Sequence, residues 1–125
     1  MIRYLIALIA TVCISSMALA KPVIDTLYSE IEMKLQTATG DIYGTLTFPN
    51  TSAKVPVALI IAGSGPTDRN GNNPIMKNES LRMLAYKLSD NQIASLRFDK
   101  RGIGESKAAA KTEADLRFED YINDA

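Results

Sequence analysis

Residues 57–62 read Val-Ala-Leu-Ile-Ile-Ala, six apolar positions with no polar alternation. Such a run suits a strand covered on both faces, as in a parallel sheet. It leads directly into Gly63-Ser64-Gly65-Pro66. That sequence turns sharply and leaves backbone N–H groups open. A strand tip, a Gly-rich loop and then a helix is the arrangement in which α/β proteins place their chemistry. The stretch 55–73 therefore organises the reading of the rest.

With 125 residues, the chain is long enough for one ordinary domain and too short for two. Hydrophobic content is 46%, and 14 basic residues balance 14 acidic ones, as in a soluble globular protein. No basic patch interleaves with aromatics, so nucleic acid is not an expected partner. The sequence has no His, which removes the commonest general base and metal ligand. Cys13 is the single cysteine, so neither an internal disulfide nor a cysteine metal site can form. Met33, Met76 and Met83 read as core or gap-filling side chains, and Lys100-Arg101 as a surface basic pair. No metal or organic cofactor is implied.

Residues 1–20 read as a signal peptide. Arg3 precedes an apolar stretch that closes on Ala18-Leu19-Ala20, an A-x-A cleavage pattern. Cleavage after Ala20 predicts an exported protein, periplasmic or secreted. The alternative is an uncleaved anchor, the one expected route to a membrane. Residues 21–27 are a lead-in, and 28–125 form the expected domain portion.

Ile31, Met33 and Leu35 alternate with Glu32 and Lys34. After a turn at Gly40-Asp41, Ile42, Gly44, Leu46 and Phe48 alternate with Tyr43, Thr45 and Thr47. Two half-buried strands in an antiparallel hairpin follow. The third strand spans 55–62. Leu81, Leu84, Ala85 and Leu88 fall at helical spacing and predict a helix over 80–90, with Asn78 or Ser80 as cap and Asn91 as stop. Residues 93–98 are a fourth strand, parallel to the third through a right-handed crossover. Residues 116–125 read as the opening turns of a further helix.

Two loops carry candidate chemistry. After the third strand, the backbone N–H groups of Ser64 and Gly65 are oxyanion-hole candidates, since acyl transfer builds negative charge on a carbonyl oxygen. A tight structural turn explains the same residues. After the fourth strand comes Asp99-Lys100-Arg101-Gly102-Ile103-Gly104-Glu105-Ser106. Its glycines suit φ > 0, and Asp99 and Arg101 are placed to bridge neighbouring loops.

Together these loops resemble the N-terminal part of an α/β hydrolase of the bacterial secreted serine-esterase kind. The hairpin resembles that family's first two strands. Residues 63–71, G-S-G-P-T-D-R-N-G, are similar to its oxyanion loop, and residues 99–106 to its D-x-R-G-x-G-x-S loop. The resemblance implies an N-terminal β-hairpin leading into a partial, mostly parallel α/β sheet, and a carboxylic-ester hydrolase acting on a small ester. It assigns the oxyanion role to Ser64, with Gly65 beside it. It gives Gly63, Pro66, Asp68, Arg69, Asp99, Arg101, Gly102 and Gly104 to loop structure. The family's Ser nucleophile sits in a G-x-S-x-G elbow, followed by its acid and His. The 125 residues contain neither G-x-S-x-G nor His, so the chain is expected to be truncated before the elbow and inactive alone. The edge of the third strand is expected to lie exposed and to promote self-association, with partial unfolding or oligomers.

Two further patterns stand in the sequence. Gly104-Glu105-Ser106-Lys107-Ala108 approaches an elbow, but Ser106 lies too far past its strand to be the nucleophile. Residues 68–79 place Asp68, Asn70, Asn72 and Glu79 at EF-hand positions 1, 3, 5 and 12, with Asn73 where Gly is needed. The alternative reading is thus an exported non-catalytic binding module using the 63–79 loop, with or without calcium.

Overall fold

The computed structural model describes residues 27–110, 112, 114 and 116–125. The signal-peptide reading of 1–20 lies outside the described residues. Among those described, no helix is long and apolar enough to cross a membrane.

Strand β1 (Tyr28–Thr37) and strand β2 (Gly40–Pro49) form the expected antiparallel hairpin, in register from Tyr28 opposite Pro49 to Thr37 opposite Gly40. Strand β3 (Val57–Ile60), helix α1 (Ser80–Asp90) and strand β4 (Ala94–Phe98) form the crossover unit, and β3 and β4 are parallel. β4 also pairs antiparallel with β2, giving the order β1-β2-β4-β3. Two of the three pairings are antiparallel, so the described sheet is mixed rather than mostly parallel. The hairpin accounts for this, because β2 docks directly on β4 and brings its antiparallel partner with it. A 3-10 helix (Gly104–Ala109) and helix α2 (Phe118–Asp124) complete the described chain.

Because side chains alternate along a strand, the register sorts the sheet into two faces. Ile31, Leu46, Leu96 and Leu59 form one row, and Met33, Gly44 and Phe98 the next, so one face is apolar. The opposite face carries Glu30, Glu32, Thr45, Thr47, Ser95 and Arg97. Helix α1 covers the polar face, where Ala85 and Ser89 are buried and Tyr86 stacks on Tyr28 with ring centroids 4.2 Å apart. The apolar face is covered at one end, where Ile42 and Phe98 pack on Ala109 of the 3-10 helix.

The rest of that face is open among the described residues. Val57, Leu59 and Ile61 are 65%, 43% and 56% exposed. The third strand is therefore not covered on both faces as its sequence predicts. Its apolar run is real, but α1 lies on one side and no described element lies on the other. The same cause corrects the reading of Met33, which is exposed on β1; Met76 and Met83 are exposed as well.

Helix α1 spans the predicted residues but starts differently. Glu79, in the left-handed region at φ 54°, occupies the N-cap without a side-chain cap. The carboxamide oxygen of Asn78 accepts the Ser80 N–H at 3.0 Å, and the Asn70 carbonyl accepts Leu81 N–H at 3.1 Å. These bonds satisfy N–H groups that a helix start otherwise leaves without partners, and they fasten the 63–79 loop to the helix. Asn91 closes the far end, as expected.

Candidate active site

The loop after β3 and the loop after β4 meet at the same end of the sheet, joined by Asp99. This carboxylate is buried at the tip of β4. Its Oδ1 accepts the Arg69 N–H at 2.7 Å and its Oδ2 accepts the Glu105 N–H at 3.0 Å. The Arg69 guanidinium lies 3.6 Å from Oδ2 and bonds Glu105 at 2.8 Å and Glu32 at 3.0 Å. One carboxylate thus ties both loops together, and one guanidinium ties them to β1. Gly104, at φ +51°, makes room for this: a Cβ there would stand 2.4 Å from Asp99 Oδ2.

Arg101 departs from the surface position its sequence suggests. It is buried, and its Nε and Nη2 each donate at 2.6 Å to the two carboxylate oxygens of Asp124, with Nη1 donating to Thr39. A bidentate fork of this kind fixes orientation as well as charge. It pins the end of α2 against the loop after β4. The paired Asp124 carboxylate raises the Arg101 pKa against the opposing effect of burial.

Lys100 also departs from a plain surface role. Its Nζ donates to the Gly63 carbonyl at 2.5 Å and the Gly65 carbonyl at 3.0 Å. Burial pushes its pKa below the ordinary lysine value. Nothing in the sequence around Lys100 signals these partners, which lie 35 and 37 residues earlier.

Between the loops and α2 lies an open cavity of about 820 Å³. Gly63, Ser64, Gly65 and Lys100 line one side; Phe98, Leu116 and Phe118 make much of the rest apolar. Ser64 and Gly65 are exposed, Gly65 at φ +83°, and among the described residues neither of their N–H groups has a hydrogen-bond partner. The structure brings together Gly63, Ser64, Gly65 and Pro66 with Arg101 and Gly102 around this cavity. Asp68, Arg69, Asp99 and Gly104 are not among the residues that line it.

Ser106 is fully buried and its Oγ accepts the Tyr43 N–H at 2.9 Å, a tie between the 3-10 helix and β2. The oxygen donors of the EF-hand-like pattern are engaged within the protein. Asp68 Oδ1 accepts the Asn70 and Asn72 N–H groups, Asn70 Oδ1 accepts Arg97 Nε, and Asn72 Nδ2 donates to Glu79. They point to backbone and side-chain donors rather than to one centre. Among the described residues no group of three or more His, Cys, Asp or Glu is placed to hold a metal.

Support extends under the polar face. Arg97 is buried and donates to Thr47 Oγ1 at 2.6 Å, to Glu30 at 2.8 Å and to Asn70 at 3.1 Å. Burial alone would raise the Glu30 carboxyl, but hydrogen bonds from Arg97 and Thr47 and the charge of Arg97 outweigh it, and its pKa lies below the ordinary value.

No protein-family model matches the chain, and no curated protein matches it by sequence. Among solved structures, it is similar to a cold-adapted esterase from an Arctic intertidal metagenomic library, in a PEG-bound complex. The TM-score is 0.52 at 19% identity, over 70% of this chain and 34% of that one. The likeness is one of fold: a mixed α/β sheet with flanking helices. The chain spans about a third of the esterase's length.

Proposed function

We propose that the chain carries the oxyanion half of a serine ester hydrolase. The N–H of Ser64, with that of Gly65, would receive the negative charge that develops on a small ester's carbonyl oxygen when a Ser hydroxyl attacks its carbon. One observation carries this reading: two adjacent backbone N–H groups lie exposed and unpartnered among the described residues, just past a strand tip and beside an apolar cavity. A donor of this kind contributes about 2.7–4 kcal/mol to transition-state stabilisation. Loop rigidity from Asp99 and Arg69 supports it, since such donors act by being fixed before reaction. The fold likeness to an esterase points the same way.

The nucleophile and its base are a different matter. With no His and no G-x-S-x-G among the 125 residues, the purified chain is expected to turn over no p-nitrophenyl butyrate above buffer. The oxyanion assignment itself is tested by titrating the ¹⁵N-labelled chain with butyrate, the product carboxylate of such an ester. Saturable shifts of the Ser64 and Gly65 amide resonances are expected. Shifts confined to other residues, or none, would remove the assignment.

Two further expectations complete the proposal. The mostly parallel character of an α/β-hydrolase sheet would come from strands added beyond β3, whose edge is open among the described residues and favours self-association. Export with cleavage after Ala20 would leave Lys21 at the N-terminus of the exported protein. Sequencing that terminus and finding Met1 would contradict it.

A further inference from the structure

We propose that Lys100 is the positioning residue of the oxyanion loop, holding the Gly63–Ser64 peptide so that its N–H is fixed for the anion. This rests on the reading of Ser64 as an oxyanion donor. The geometry is specific. The Gly63 carbonyl, bound by Lys100 Nζ at 2.5 Å, belongs to the same peptide unit as the Ser64 N–H. In a planar trans peptide the C=O and N–H point in opposite directions, and the described chain has no cis peptide. Anchoring the carbonyl on Lys100 therefore turns the Ser64 N–H away from the ammonium group. The second bond, to Gly65 O at 3.0 Å, fixes the chain on the other side of Ser64. Two anchors straddle Ser64, whose amide must not rotate.

Position is half of the effect. A charge-assisted hydrogen bond is stronger than a neutral one, and hydrogen bonds in series polarise one another. An ammonium group on the Gly63 oxygen draws electron density through the peptide and makes the Ser64 N–H a better donor. A lysine suits this task, being a compact charge with three rotatable donors, two of which are used here. Gly63 and Gly65 line the cavity beside Lys100, and among the described residues the other titratable side chains that line it are Arg101, bound to Asp124, with Lys107 and Tyr121. Burial lowers the pKa of Lys100, and among the described residues the two carbonyls are the hydrogen-bond partners its ammonium group has.

The test uses the full chain labelled with ¹³C and ¹⁵N. In Lys100→Met the Gly63 and Gly65 carbonyl resonances should move upfield as they lose a donor. The butyrate affinity read at the Ser64 amide should fall on the order of tenfold or more, the scale of losing a hydrogen bond to a charged group. Lys100→Arg, which keeps charge and donors, should restore most of that affinity. Should Lys100→Met not fold, raising the pH of the wild-type chain supplies the same readout. The two carbonyl shifts should then follow the Lys100 Hε resonances with a common midpoint below the ordinary lysine value, while Lys107 and Tyr121 are followed by their own signals. Carbonyls that respond to neither change overturn the clamp. Carbonyls that respond while butyrate affinity is unchanged in Lys100→Met overturn the positioning role. A wild-type chain that shows no Ser64 response to butyrate overturns the oxyanion reading and the role with it, and the carbonyl shifts then report the clamp separately.

Discussion

On one face of the sheet, Arg97 lies buried among Thr47, Glu30 and Asn70, and helix α1 closes over it. On the other, Ile31, Leu59 and Ile61 stand about half exposed. The difference is one of how each face is stabilised. The polar face is held by directional bonds between groups far apart in sequence, and these bonds continue through Asn70, Arg69 and Asp99 into the two candidate loops. The apolar face depends on area removed from water, and the described residues cover it only where Ala109 meets Ile42 and Phe98. A hydrogen-bonded network and a partly open apolar surface thus lie on opposite sides of the same four strands.

The largest effect should come from cutting the polar side at its centre. Asp99→Ala removes the carboxylate that accepts the Arg69 and Glu105 N–H groups; each hydrogen bond to a charged group is worth about 1.5–3 kcal/mol. Urea unfolding should show this loss, and an unchanged midpoint would mean that Asp99 does not join the loops. Gly104→Ala acts on the same point more gently. It places a methyl 2.4 Å from the Asp99 carboxylate and a side chain at φ +51°, which costs about 1–3 kcal/mol.

Smaller effects separate the faces. Glu30 has a pKa below its ordinary value of 4.5. Its folded-state carboxyl therefore binds protons less readily than in the unfolded chain, so its contribution to stability is present at neutral pH and is lost as pH falls below about 4.5 through the folded value. Glu30→Gln should flatten this acid limb of the stability curve, and a curve unaltered by the substitution would detach Glu30 from the polar network. Leu59→Lys should change unfolding free energy least, within about 0.5 kcal/mol as for exposed sites. Its effect should appear in sedimentation, shifting a self-associated chain toward monomer. Equal sedimentation of both proteins would show that the apolar face does not mediate association.

Much of the backbone was legible because its signals are local. Alternation over 31–35 and 42–48 marked the hairpin, apolar spacing marked α1, and strand–loop–helix–strand marked the parallel pair of β3 and β4. What escaped was the choice of distant partners. Arg101 looks like a surface residue until α2 brings Asp124 to it, and Lys100 looks idle until the β3 loop folds back over it. The apolar run at 57–62 correctly marked a strand, but composition alone does not say whether anything covers its second face. The candidate amides of Ser64 and Gly65 were legible from the glycines around them. Their supports, Asp99 to Arg69 and Lys100 to Gly63, required the sheet order to be known.

The most direct measurement is a structure of the wild-type chain with butyrate bound. A carboxylate oxygen should lie 2.7–3.1 Å from the Ser64 nitrogen, the range expected of an oxyanion donor, with Lys100 still on the Gly63 carbonyl. A butyrate seated elsewhere in the cavity, or a Ser64 N–H turned into an internal hydrogen bond, would contradict the assignment of this loop.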